Sequence, residues 1–356
     1  MKNFWRALSV SALMLGFASS VALGRSQAAA QLSASAVYEE VGEREVVIPC
    51  GTPFGIKMLT DGVVVTDFGY VNGAMSQLSP AEAAGVHTGD VIVAVDGASV
   101  KDSAALSDAV QKADGECRLT VLRDGETLEL TATPLRSEED GFYKLGLWTR
   151  DSCAGIGTMT FYDPETGVFG GLGHAVSDVT TGLRLPLLEG EITAVSITDV
   201  LKGSGGSPGE LCGAFVSDTE TGTVKLNGEC GVFGYSETTP ILNDPIEIGY
   251  SGEVEKGKAT ILTTVAGMMP EEYEIEIVRI DRGSGSSVRN MTIRVTDERL
   301  LRRTGGIVQG MSGSPVLQNG RLVGAVTHVL VNDSTMGYAV FIENMCREAT
   351  ALSPVR

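Results

Sequence analysis

Histidine is the scarcest chemistry-bearing residue in this chain, with three among 356 residues: His87, His174 and His328. No HExxH motif and no CxxC pair occurs, so the ligand spacings of a zinc centre are absent and no metal or organic cofactor is expected. Basic residues are few, 27 Lys and Arg against 45 Asp and Glu. The net charge of −18 excludes nucleic acid and anionic membrane surfaces as binding partners. Apolar runs long enough to approach a membrane span are lacking beyond Ala7 to Gly24. Six cysteines are widely spread, and the sequence does not choose among their fifteen pairings. Cys212 and Cys230 flank an expected hairpin and are the first pair to check, with buried free thiols the alternative. What the chain does have is 43% hydrophobic residues and 45 glycines, the composition of a loop-rich β protein with no bulk disorder.

The N-terminus carries Lys2 and Arg6, the apolar run 7–24, and then small residues offering an A-x-A site at Ala28 to Ala30. This is the layout of a secretory signal over residues 1–30, with an uncleaved N-terminal membrane anchor as the alternative. Either way the rest of the chain is expected outside the cytoplasm. Residues 31–49 read as a linker with one short strand, Glu45 to Ile48, and as a place for self-cleavage.

Between 50 and 134 the texture changes. Phe54-Gly55-Ile56 leads into Gly62-Val63-Val64-Val65, and Ser79-Pro80-Ala81 begins a run ending in Gly89-Asp90-Val91-Ile92. A helix is predicted from Ser103 to Ala113, followed by two strands joined at Asp124-Gly125. The Ser-Pro-Ala…Ala-Gly-Val…Gly-Asp pattern resembles a PDZ domain of the bacterial, protease-associated kind, a small β-barrel with helices. The resemblance implies that backbone N–H groups at Phe54, Gly55 and Ile56 receive a peptide carboxylate while the peptide adds as a strand.

Residues 135–141 read as a linker, and 142–356 as one β-rich domain. Expected strands are Ile156 to Tyr162, Thr223 to Leu226, Ala259 to Val265, Tyr273 to Ile280, Met291 to Val295 and Leu322 to Leu330. Asp163-Pro164-Glu165-Thr166-Gly167 and Asp218-Thr219-Glu220-Thr221-Gly222 are near-copies, and Gly-Val-Phe-Gly recurs at 167–170 and 231–234. The repeats suggest one hairpin in each of two related barrels. Lys202 to Gly209 reads as a mobile loop, and Val340 to Ala351 as a C-terminal helix.

Gln309-Gly310-Met311-Ser312-Gly313-Ser314-Pro315 places a small hydroxyl between glycines, followed by an apolar strand ending Gly324-Ala325-Val326-Thr327-His328. Glycine permits a sharp turn and close approach of a substrate carbonyl to the N–H groups of Gly310 and Ser312, which can form an oxyanion hole. The pattern resembles the nucleophile loop of chymotrypsin-like serine peptidases, which implies a double β-barrel with Thr327, His328 and Val329 pairing with the substrate. A serine hydroxyl needs a base. His174 lies in Gly170-Gly171-Leu172-Gly173-His174-Ala175, a glycine-rich bend upstream of Ser312, and is the candidate. Asp297, at the end of the strand Met291 to Thr296, is preferred as the carboxylate partner, with Asp178, Asp199, Asp218, Asp244 and Asp281 open.

The order of export signal, PDZ domain, Gly-x-Gly-His-Ala-x-x-Asp, then Val295-Thr296-Asp297 through Gly310-Met311-Ser312-Gly313-Ser314-Pro315, and finally Val323 to Asp333, resembles the SpoIVB peptidase family. The resemblance implies His174, Asp297 and Ser312 as the catalytic set. It also implies an exported, possibly anchored, serine endopeptidase acting between the forespore and mother-cell membranes. Such an enzyme cuts its own N-terminal region and a membrane-associated regulator of an intramembrane protease, releasing a mother-cell sigma factor. The competing readings are a non-catalytic exported PDZ scaffold and a general envelope quality-control protease. The latter usually places its PDZ domain after the peptidase.

Overall fold

The computed structural model describes residues 44–352 except 74–75, 114, 239–242 and 284–286. The expected signal or anchor at 1–30 and most of the 31–49 linker lie outside the described residues. Among the described residues no helix is long and apolar enough to cross a membrane.

The second barrel is the simpler one. Alternation puts Tyr273, Ile275 and Ile277 inside and Glu272, Glu274 and Glu276 outside on the strand Glu271–Ile280, the period-2 signature of a half-buried sheet. This strand joins Gly257–Thr263, Met291–Val295, Asp333–Phe341, Arg321–Leu330 and Pro315–Gln318 in a closed barrel. Ile261, Ile293, Val326 and Phe341 fill it. Each such side chain contributes about 1.5–3 kcal/mol by leaving water.

The first barrel closes because two long strands pair with each other as well as with their neighbours. Pro53–Phe68 pairs with Leu147–Tyr162 from Pro53↔Thr158 to Phe68↔Leu147. Val168–Gly171, Val232–Ser236, Glu210–Asn227 and Leu187–Leu201 complete the ring. Phe54, Ile56, Met58, Phe169, Ile192 and Val232 form its core. Val46–Pro49 lies against Tyr162 and Phe161 on one side and Glu247 and Ile246 on the other. The C-terminal helix Ile342–Ala349 closes a further cluster with Val47, Phe161, Phe233 and Leu322.

The PDZ unit is built on the far half of the same strand. Val63 and Val65 enter a core with Ile92, Val95, Leu119 and Val121 and with Leu106 and Val110 of the helix Ser103–Lys112. Asp102 caps this helix, accepting from Ala105 N–H at 2.7 Å. The predicted turn at Asp124-Gly125 joins Cys117–Arg123 to Glu126–Ala132, both turn residues at positive φ.

Several expectations change. Strand Pro53–Phe68 belongs to two units at once, so a boundary at residue 50 does not follow the pairing. The 135–141 linker is the turn of a small ladder, Leu135–Arg136 against Tyr143–Lys144. The Gly-Val-Phe-Gly repeats do not mark one barrel each: they pair with one another in the first barrel, Phe169 opposite Gly234 and Gly170 opposite Phe233. The 202–209 loop is tied down, Gly203 N–H donating to Thr304 O and Gly206 N–H to Val331 O. All six cysteines are free. Cys212 sits near the start of Glu210–Asn227 and Cys230 beyond its end, and the two are not bonded.

Candidate active site

Ser312 sits in a turn that only glycine could make. Gly310 and Gly313 have φ of 93° and 97°. A Cβ on Gly313 would lie 1.9 Å from Thr158 O. The loop is then pinned by one strand of the first barrel. Thr158 N–H donates to Ser312 O at 2.9 Å, Thr158 Oγ1 to Gly310 O at 2.8 Å and Thr160 Oγ1 to Gly313 O at 2.7 Å. From the second barrel, Val326 O accepts from Gly313 N–H at 2.7 Å. The fully buried Met311 anchors the turn from beneath. These bonds engage the carbonyls of Gly310 and Ser312, while no hydrogen bond is drawn from their N–H groups among the described residues.

A cleft of about 550 Å³ brings together Ser312, Gly310, His174, Thr327, His328 and Val329. Ser312 Oγ donates to Thr327 O at 2.7 Å, so the hydroxyl is turned toward the strand Arg321–Leu330. That strand pairs with Asp333–Phe341 through His328↔Tyr338 and Val329↔Gly337, while its pairing with Pro315–Gln318 ends at Ala325. The edge from Thr327 to Val329 is thus left open toward Ser312.

His174 follows Val168–Gly171 through Leu172 and Gly173, both at positive φ. Its Nδ1 lies 2.8 Å from Ala175 O, which fixes Nδ1–H as donor and leaves Nε2 as the lone pair. Burial lowers its pKa below the ordinary histidine value. The His328 ring lies 4.8 Å away, centroid to centroid. Burial, then the charges of His174 and Arg289, push the His328 pKa down to about 4. Both rings are therefore neutral at pH 7. His328 Nδ1 is buried with no hydrogen-bond partner among the described residues.

Asp297 is not brought to His174. It caps the helix Glu298–Thr304, accepting from Arg299 N–H at 2.8 Å, and it pairs with the Arg299 guanidinium, Nη2 to Oδ2 at 2.8 Å. Arg299 holds its pKa down at about 2. It does not line the cleft. The Asp178 alternative is engaged as well: its carboxylate accepts from Thr180 and Thr181 N–H and from Arg150 Nε at 2.5 Å. Among the described residues, the one polar contact drawn to the His174 ring is the Ala175 backbone carbonyl.

Phe54, Gly55 and Ile56 are corrected too. Their backbone is paired on both sides, to Gly155–Gly157 and to Ile192–Ala194, so it has no N–H groups to offer a carboxylate. Thr158, Thr160, Met311 and the Ala175 carbonyl went unread in the sequence. Alternating Thr158 and Thr160 on one strand face was the available signal, but it names no partner without the fold.

The profile described as SpoIVB peptidase S55 matches residues 141–346, more than half the chain, and a PDZ domain profile matches 54–133. No curated protein matches. Among solved structures, the inactive form of Rv3671c protease is 16% identical over 56% of this chain and 85% of that chain, with a TM-score of 0.33. The active form, from M. tuberculosis, is 16% identical over 57% and 76%, with a TM-score of 0.35.

Proposed function

The chain belongs to the SpoIVB peptidase S55 family and is a serine peptidase carrying a PDZ domain, and from that premise we propose the roles of its residues. Ser312 is the nucleophile, His174 the general base, and the N–H groups of Gly310 and Ser312 the oxyanion donors. A substrate pairing along Thr327 to Val329 brings a backbone N–H to Thr327 O, the acceptor that the Ser312 hydroxyl now uses. Displaced from it, the hydroxyl turns toward His174 Nε2, which takes its proton as the oxygen attacks the scissile carbonyl. The imidazolium formed is held through Nδ1–H by Ala175 O, and then protonates the leaving amine.

We further propose the biological setting that the family implies: an exported or N-terminally anchored endopeptidase of sporulation signalling. It would cut its own N-terminal region and a membrane-associated regulator of an intramembrane protease. The observation that supports the chemistry is the joint placement of Ser312, His174 and two unengaged N–H groups in one cleft.

The test compares wild type with Ser312→Ala and His174→Ala on unfolded protein substrates and on the chain itself. Each variant should lose roughly 10³-fold or more in kcat/KM. Equal cutting by wild type and Ser312→Ala would refute the assignment.

A further inference from the structure

A single hydrogen bond, Nδ1–H to Ala175 O, restrains the His174 ring, and its acceptor belongs to the next residue in the chain. Among the described residues that line the cleft none is Asp or Glu, although the chain carries 45 of them. A base tied only to its own loop can swing, and a misplacement of about 1 Å can cost on the order of 10²-fold in rate. The second barrel supplies another restraint. Gly173 lets the bend before His174 come down on the strand Arg321–Leu330, where a Cβ would lie 3.1 Å from both Val326 O and Thr327 Cγ2. At this approach the His328 ring meets the His174 ring, centroids 4.8 Å apart and planes tilted by 34°, within the range of aromatic contact.

No polar tether pulls His328 elsewhere: its buried Nδ1 has no hydrogen-bond partner among the described residues. Its place is set by its neighbours. Directly opposite residues of an antiparallel pair share a face, so Tyr338 stands beside His328, and the Arg289 guanidinium carbon lies 5.2 Å from the centre of the Tyr338 ring. The titratable and charged groups around His328 are thus His174 from the first barrel, and Tyr338 and Arg289 from the second. Burial, with the charges of His174 and Arg289, pushes its pKa down to about 4. The ring is therefore neutral when turnover places a positive charge on His174, and it does not repel that charge.

We propose that His328, backed by Tyr338, is a positioning residue for the general base: its ring fixes the plane of His174 and keeps water from it. A serine-protease triad gives the orienting task to a carboxylate. The inference rests on Ser312 and His174 being nucleophile and base. It assigns His328 a role on the catalytic ring itself, beyond contact with substrate. It also divides the base between the barrels, the first carrying His174 and the second holding it in place.

The experiment measures how fast diisopropyl fluorophosphate labels Ser312 in the full chain across pH, with the labelled residue identified by peptide mass mapping. This small reagent reacts at an activated serine without pairing along Thr327 to Val329, so its rate reports the base and not peptide binding. His328→Ala should slow labelling by roughly tenfold or more. The acid limb of its pH profile should move up toward the ordinary histidine value near 6.5, because water then reaches His174. His328→Phe, which returns a flat ring, should recover most of the lost rate. Tyr338 does not line the cleft, and Tyr338→Ala should slow labelling about threefold with His328 present and not at all in the His328→Ala background. Tyr338→Phe should restore the rate that Tyr338→Ala loses. Where His328→Ala does not fold, as read by near-ultraviolet circular dichroism, the two Tyr338 variants decide. Labelling of folded His328→Ala at the wild-type rate, an unmoved acid limb, or equal rates for Tyr338→Ala and Tyr338→Phe would overturn the inference and leave the peptidase assignment standing. A wild type not labelled at Ser312 would remove the assignment and this inference together.

Discussion

Asp297 and His328 pose opposite questions at the scale of single residues. If Asp297 orients His174, Asp297→Asn should cost about 10⁴ in kcat, as in the well-studied serine-protease triad. The capping geometry predicts otherwise. Asn is as good an N-cap as Asp, and the Arg299 guanidinium of the pair is exposed to water, so the loss is about 1 kcal/mol of stability and less than tenfold in kcat. Steady-state kinetics and a denaturant titration on the one variant separate these outcomes. His328 carries a pH signature. Its folded pKa, about 4, lies below its ordinary value near 6.5, so the unfolded chain binds the proton more readily between these limits. Its contribution is fully present above pH 6.5 and is lost as pH falls toward 4, on the order of 2 kcal/mol after allowing for its partial exposure. His328→Gln should flatten the stability profile between pH 6.5 and 4 relative to wild type, read by thermal melts across that window. An unchanged profile would mean that the ring is not buried as the structure places it. Activity should rise with pH through the depressed His174 pKa, because only the neutral imidazole accepts the serine proton.

At the scale of elements, strands with clean alternation were legible in advance. Tyr273–Ile280 and Met291–Val295 emerge within two residues of expectation, because one face meets a core and the other meets water. The helix at 103 and the turn at Asp124-Gly125 were legible from a cap residue and a dipeptide. Local signals failed where a strand serves two neighbours. Nothing in Pro53-Phe54-Gly55-Ile56 distinguishes a ligand loop from a barrel strand; only the distant partners Gly155–Thr158 and Ile192–Ala194 decide it. The glycine-rich bends that bring Ser312 and His174 to one cleft were legible, whereas the placement of Asp297 was not, since a carboxylate at a strand end serves a helix cap equally well. The N-terminal strand yields a prediction of its own. Val47, Ile48 and Pro49 are buried, and the strand Val46–Pro49 pairs with Phe161 and Tyr162 on one side and with Ile246 and Glu247 on the other, so no protease can thread it without breaking both pairings. Self-cleavage, if it follows the family, should therefore leave a new N-terminus at or before residue 44. Edman sequencing of the processed form finding a start at 46–50 would contradict this.

For the whole molecule, the consequence of shared strands is mechanical. Pro53–Phe68 puts Phe54, Ile56 and Met58 in the first barrel and Val63 and Val65 in the PDZ core, with no linker between. Leu147–Tyr162 does the same in reverse and carries Thr158 and Thr160, which pin the loop Gly310 to Gly313. Two domains joined by a flexible linker would unfold separately; two joined by continuous, cross-paired strands should unfold as one. Ile92 tests this. It is fully buried in the PDZ core and remote from the cleft lining, so Ile92→Ala removes about 2–5 kcal/mol of packing without touching the site. In a coupled molecule the thermal loss of peptidase activity moves down together with the global melt, by several degrees, while kcat at low temperature stays near wild type. In an uncoupled molecule the variant shows two transitions, an early one in the PDZ unit, and the activity midpoint stays where it was. Coincidence of the activity and circular-dichroism midpoints in Ile92→Ala is the expected result, because a strand that melts at Val63 disturbs its order at Phe54 when Leu147–Tyr162 pairs with it across the same break.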